Sequence, residues 1–131
     1  MRHRRGEGAF TLVEVMIVVG IIALLSAVII PNLVRGRTTA NEAAAKATLK
    51  SISTAMENYM AINTEYPTTT TALLGDTPPY LNTDYFNGAH NGYTFTPTLG
   101  SYSYAVLAAP ASTNQGTVSY TISTGGVLVE N

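Results

Sequence analysis

Cysteine and tryptophan are absent from this sequence, and histidine occurs only twice. Without cysteine there is no disulfide, thiolate zinc site, lipidated cysteine anchor or cysteine nucleophile. The redox compartment stays open, because an oxidising compartment permits disulfides without requiring them. Charge is scarce too: 11% of residues are Asp, Glu, Lys or Arg, against ~25% in ordinary soluble domains. Lys and Arg are missing altogether from Ser51 to Asn131, where Glu57, Glu65, Asp76, Asp84 and Glu130 leave a weakly acidic surface. That surface has no footprint for a phosphate backbone, so direct nucleic-acid binding by this part is not expected. The sequence also lacks a G-x-S-x-G, a P-loop and a G-x-G-x-x-G string, and 131 residues leave room for one domain of modest core. Nothing predicts an enzyme, a cofactor or a metal.

What is present is apolar. Val15 to Ile30 is free of charge, and Phe10 to Ile30 is interrupted only by Glu14. As a helix this segment is about 31 Å long, the thickness of a bilayer core. A chain of this size could not surround a helix apolar on every face. A cleaved secretory signal fits poorly, since Leu25 stands where a small residue is wanted ahead of Ser26-Ala27 and the run continues through Ile30. The segment therefore reads as a single-pass anchor. Arg2, Arg4 and Arg5 precede it, while Arg35, Arg37, Lys46 and Lys50 follow closely, so charge bias leaves its orientation open. Glu14 is the exception inside it, and a carboxylate there costs about 3 kcal/mol unless partnered or near an interface. Two readings follow: Glu14 reaches back to the headgroups, or it pairs with a positive group from another copy. Cleavage just before Phe10 would create such a group, a free amine.

The string Gly8-Ala9-Phe10-Thr11-Leu12-Val13-Glu14 resembles the prepilin motif of type IV pilins and type II secretion pseudopilins. The resemblance implies a basic leader, Met1 to Ala9, removed by a prepilin peptidase between Ala9 and Phe10. It implies N-methylation of Phe10 and places Glu14 fifth in the mature chain, where the family's glutamate pairs with a neighbour's N-terminal amine. Pro31 stands seventeen residues after Glu14, where the family has a helix-perturbing proline. The departure is Ala9, since cleavage in the family follows glycine. Cleavage after Gly8 is the alternative, and it would shift Glu14 to sixth. The motif covers residues 1 to about 66; beyond that the likeness is architectural.

The residues beyond Pro31 are read independently of that likeness. Proline removes a backbone donor, so a kink or local melting is expected over Val28 to Val34, with Gly36 adding flexibility. Ala45, Leu49, Ile52, Met56, Tyr59 and Ile62 recur on one helical face, with Lys46, Lys50, Ser53 and Glu57 on another. Glu42 and Lys46 form a favourable i,i+4 pair. The helix should stop near Asn63, ahead of Tyr66-Pro67. Thr68 to Thr71, Asp76 to Pro79, Asn87-Gly88 and Asn91-Gly92 are turn chemistry, with a short helix over Thr71 to Leu74. From Gly92 the pattern alternates: Tyr93 and Phe95, then Tyr102, Tyr104 and Val106, then Val118, Tyr120 and Ile122, with Gly125-Gly126 turning into Val127 to Val129.

The expected fold is α+β: a long N-terminal helix, membrane-embedded in its first half and amphipathic in its second, packed on a small sheet of three or four antiparallel strands. The segments are a leader 1–9, a membrane or filament-core half 10–34, an amphipathic half 35–64, a connecting loop 65–91 and a sheet 92–131. Asn82, Asp84, Asn87 and Asn91 do not match a calcium-loop spacing. The loop Ala111 to Thr117 has no acidic residue, which departs from the calcium-binding loop of major pseudopilins.

The function implied is a structural subunit of a type IV pilus or pilus-like filament. The alternatives are a type II secretion pseudopilin and an anchored periplasmic binding module that does not polymerise. The partners implied are copies of itself, the prepilin peptidase, the inner-membrane assembly platform and minor pilins. The subunit would sit in the inner membrane with its C-terminal part outside the cytoplasm, and then in an extracellular pilus or periplasmic pseudopilus.

Overall fold

The computed structural model describes residues 8–131; Met1 to Glu7, most of the expected leader, lie outside the described residues. The chain divides into two units, Met1–Arg35 and Gly36–Asn131. Helix α1 (Leu12–Asn63) runs through both. Its portion in the first unit is exposed almost throughout although nearly every side chain from Leu12 to Val34 is apolar, since no described residue packs over it. The local melting expected at Pro31 does not occur: the backbone stays helical across Val28 to Val34 and through Gly36, and Asn32 Nδ2 donates to the Val28 carbonyl at 3.1 Å.

In the second unit α1 supplies one side of a core and an antiparallel sheet supplies the other. A short helix α2 (Thr71–Leu74) is followed by β1 (Ala89–His90), β2 (Tyr93–Leu99), β3 (Tyr104–Pro110), β4 (Tyr120–Ser123) and β5 (Val127–Glu130), in the order β1-β2-β3-β4-β5. Strand alternation decides which side chains face α1: Tyr93, Phe95, Tyr104, Val106, Ala108, Tyr120 and Ile122 are buried with Ala45, Leu49, Ile52 and Met56. Leu73 of α2 and Leu81 close the same cluster.

Four further expectations need correction. The sheet has five strands rather than three or four. The extra one, β1, joins β2 through Asn91-Gly92, whose φ angles of 50° and 78° are those of a hairpin turn. Tyr102 is 81% exposed, because Gly100 N–H donates to the Ser103 carbonyl and the chain turns there instead of extending. Ile62 is 71% exposed and lies outside the buried cluster. Lys46 pairs not with Glu42 but with Glu130, at 3.4 Å, and lies 4.6 Å above the Tyr120 ring. Glu42 Oε1 instead accepts from Thr117 N–H and Oγ1 at 3.1 and 2.9 Å.

Candidate functional site

The site singled out by the sequence is the start of the chain. Gly8, Ala9, Phe10 and Thr11 are non-helical and exposed, with Phe10 86% accessible. The bond between Ala9 and Phe10 therefore lies on exposed, non-helical backbone, as does the alternative after Gly8. Helix α1 begins at Leu12, which leaves Thr11 as its N-cap. Glu14 N–H donates to Thr11 Oγ1 at 3.2 Å, and Thr11 N–H donates to Glu14 Oε2 at 3.1 Å.

This reciprocal pair is a capping box: two backbone donors left over at the helix start are satisfied by two side chains three residues apart. The helix dipole favours the carboxylate in the first turn. Both effects offset the cost of Glu14 within an apolar segment. Among the described residues Glu14 Oε1 accepts no hydrogen bond. Thr11 was not picked out from the sequence, although Thr-x-x-Glu ahead of an apolar run is the signature that marks it.

Behind this start, α1 is long and apolar enough to cross a membrane, and none of that segment is buried within the protein. Pro31 sits inside the helix and not at its end. A Cβ at Gly36 would meet nothing within 4 Å, so no close approach demands glycine there.

The second unit carries a different kind of cluster, around Glu57. Its Oε1 accepts from Tyr66 OH at 3.1 Å, Tyr104 OH at 3.3 Å and Gly125 N–H at 3.1 Å. Tyr104 OH also shares a 2.8 Å hydrogen bond with the buried Ser53 hydroxyl. Burial, followed by the Glu57 hydrogen bond and charge, pushes the Tyr66 hydroxyl up to about 12. Tyr93 is also pushed up to about 12, by burial first and then by the Glu42 and Tyr120 charges; its hydroxyl donates to the Val118 carbonyl at 2.8 Å. Ser53 and Glu57 were placed on a helical face other than the apolar stripe. Through Tyr104 and Gly125 they tie α1 to the start of β3 and to the turn before β5.

Ala111 to Thr117 is held without acidic residues of its own: Asn41 Nδ2 donates to the Gln115 carbonyl at 2.9 Å, and Glu42 takes Thr117. Asp84 Oδ1 accepts from Phe86 N–H at 3.0 Å, closing a local turn. Among the described residues no three His, Asp or Glu side chains converge on one point.

Comparison with known proteins matches this arrangement. Residues 4–30 fit the family model described as the prokaryotic N-terminal methylation motif. Over 97 residues the chain is 35% identical to the major component of the type IV wide pilus of Thermus thermophilus, covering 71% of this chain and 72% of that protein. It is 36% identical over 67 residues to type II secretion system core protein G of Pseudomonas aeruginosa, covering 51% of this chain and 47% of that one. Over 57 residues it is 39% identical to the type IV major pilin of Myxococcus xanthus, covering 44% of this chain and 26% of that one. The chain thus spans most of the first relative but half or less of the other two. With the methylation motif at its start and a 35% identity that covers more than two thirds of a pilus subunit, the chain belongs to the type IV pilin and pseudopilin family.

Proposed function

We propose that this chain is a filament-forming pilin: cleaved between Ala9 and Phe10, methylated on Phe10, and polymerised through α1 with its C-terminal unit outside the cytoplasm. The observation that carries the reading is the N-terminal constellation. An exposed Phe10 is followed by a capped Glu14 whose Oε1 accepts no hydrogen bond among the described residues, and then by an apolar helix that none of those residues covers. Lipid covers that helix before assembly, and other copies cover it afterwards. Glu14 Oε1 would take the Phe10 amine of an incoming subunit, a charge-assisted hydrogen bond made where water is excluded. Prepilin peptidase, an inner-membrane platform and minor pilins are the partners this cycle requires, and Pro31 and Gly36 are the points where α1 would bend or loosen on leaving the bilayer.

A pilus is preferred to a secretion pseudopilus on one structural ground. The loop Ala111 to Thr117 is pinned by Asn41 and Glu42 of α1, with no acidic side chains of its own.

Two measurements test the proposal together. Mass spectrometry of the protein from its native host should give an N-terminus at a methylated Phe10. Glu14→Ala should leave that processing intact and reduce filament yield at least tenfold, the loss of about 1.4 kcal/mol per subunit contact. Normal filament yield from that variant would remove Glu14 from assembly, and an intact Met1 would remove the family's processing.

A further inference from the structure

One groove in the second unit is unused by any step above. Ser51, Thr54, Ala55 and Asn58 stand at i, i+3, i+4 and i+7 on α1, a single stripe of small neutral side chains. Facing them across a cavity of about 330 Å³ is the segment Tyr80 to Tyr85. A second cavity of about 570 Å³ continues on the far side, and Asn58 and Tyr80 line both. The first lies at the lower end of small-molecule site sizes, and the pair forms an extended track.

The chemistry of the walls narrows the ligand. No charged side chain lines the first cavity, and Asp76 alone lines the second, so neither an anion nor a strongly cationic ligand finds a counter-charge. Asn58 and Asn82 are exposed, and among the described residues neither side chain makes a hydrogen bond. Each therefore offers a free carbonyl and a free amide. Ser51 and Thr54 donate to the Ala47 and Lys50 carbonyls of their own helix, which leaves their oxygens as acceptors.

Two tyrosines are fixed in place. Tyr80 meets Tyr59 edge-on at 5.3 Å, and Tyr85 meets His90 and Phe95 edge-on at 5.4 and 6.2 Å. Rings held by aromatic neighbours lose little freedom when a ligand arrives. Paired amides and hydroxyl acceptors beside rigid, uncharged aromatic rings match a molecule with hydroxyls at its rim and C–H groups on its faces.

We propose that this groove binds a neutral oligosaccharide, one sugar residue in the cavity between α1 and Tyr85 and the next across Tyr80. Membership of the pilin family is not needed for this, and the subunit alone suffices to test it. The full-length mature chain, isotope-labelled in micelles of a phosphocholine detergent, is titrated with maltotriose, cellotriose and chitotriose and followed by NMR. At least one of the three should give saturable shifts centred on Thr54, Asn58 and Asn82. Asn58→Ala and Asn82→Ala, both at exposed side chains without protein partners, should each weaken that binding about 2- to 10-fold, the scale of one net hydrogen bond. Thr96→Ala, on the sheet face turned away from α1, should leave it unchanged and serves as the control. Absence of saturable shifts with all three sugars overturns the proposal. So do shifts that map elsewhere, or binding that neither Asn variant alters. If a neutral peptide from this chain's own sequence shifts the same residues while the sugars do not, the groove is a contact between copies and the saccharide reading is wrong.

Discussion

Glu57 shows how one side chain can organise several segments. It stands on α1, and its acceptors are claimed by Tyr66 from the segment after the helix, by Tyr104 from the start of β3 and by Gly125 from the turn before β5. Glu57→Ala strips partners from two tyrosine hydroxyls and a backbone N–H at once. Since Glu57 itself is only half-buried, the loss should be about 1–3 kcal/mol. That lowers the thermal midpoint of the second unit by roughly 4–8 °C per kcal/mol, readable by circular dichroism. A midpoint within a degree of wild type would make the cluster ornamental. Burial and Glu57 together hold the Tyr66 proton up to about 12, and burial with Glu42 does the same for Tyr93. The folded state keeps both protons more tightly than the unfolded chain, whose tyrosines titrate near 10. The stability they contribute is therefore whole below pH ~10 and drains as pH rises toward 12. Melting temperature should fall through that window, and Tyr66→Phe should make the fall shallower. An equally steep fall in the variant would put its origin elsewhere. None of this was legible in the sequence. Helical spacing put Ser53 and Glu57 beside Lys46 and Lys50, and periodicity cannot tell a face that meets water from one that meets tyrosine hydroxyls on another element.

At the scale of elements, legibility followed repetition. Ala45, Leu49, Ile52 and Met56 repeat at helical spacing and are all buried, and the alternation of Tyr93-Phe95 and Tyr120-Ile122 assigned the faces of β2 and β4. Both patterns arise because burial of one face selects apolar residues at the element's own period. Legibility failed where an element was too short or extended past its partner. β1 has two residues, too few to alternate, and only the Asn91-Gly92 turn betrays it. Ile62 continues the apolar stripe of α1 without entering the core it predicts. The β4–β5 connection is sharper. Gly125 and Gly126 have φ of 78° and 74°, Gly126 N–H donates to the Ser123 carbonyl, and Gly125 N–H reaches Glu57. An L side chain in that region of backbone space costs roughly 1–2 kcal/mol. A Cβ at Gly125 would meet nothing within 4 Å, so Gly125→Ala isolates that conformational cost from any clash. Denaturant unfolding should show a loss of about 1 kcal/mol with an unchanged slope. A neutral result would mean the turn has a second conformation that alanine accepts.

The whole molecule is two units with opposite ways of satisfying the same hydrophobic demand. Met1–Arg35 presents its described apolar side chains to the outside and requires lipid or other copies to cover them. Gly36–Asn131 contains every buried hydrophobic residue found in the described chain, from Ala45 to Ile122. The scarcity of charge has a different source in each: in the first, residues selected for an apolar environment; in the second, threonine, tyrosine and asparagine at positions where a soluble domain would carry Lys or Glu. Because the core of the second unit is half helix and half sheet, neither half should stand alone. A fragment spanning 36–131 retains the whole buried cluster and should fold as a soluble monomer without detergent, with a cooperative thermal transition. A fragment spanning 65–131 keeps all five strands but loses Ala45, Leu49, Ile52 and Met56. With no disulfide or metal to brace it, a segment of that size lies below what a core of its own can stabilise. It should give the circular dichroism of an unfolded or aggregated chain. Equal cooperativity in the two fragments would show that the sheet stabilises itself and that α1 is only an anchor. Folding of the longer fragment alone makes the same helix an anchor in its first half and a core element in its second.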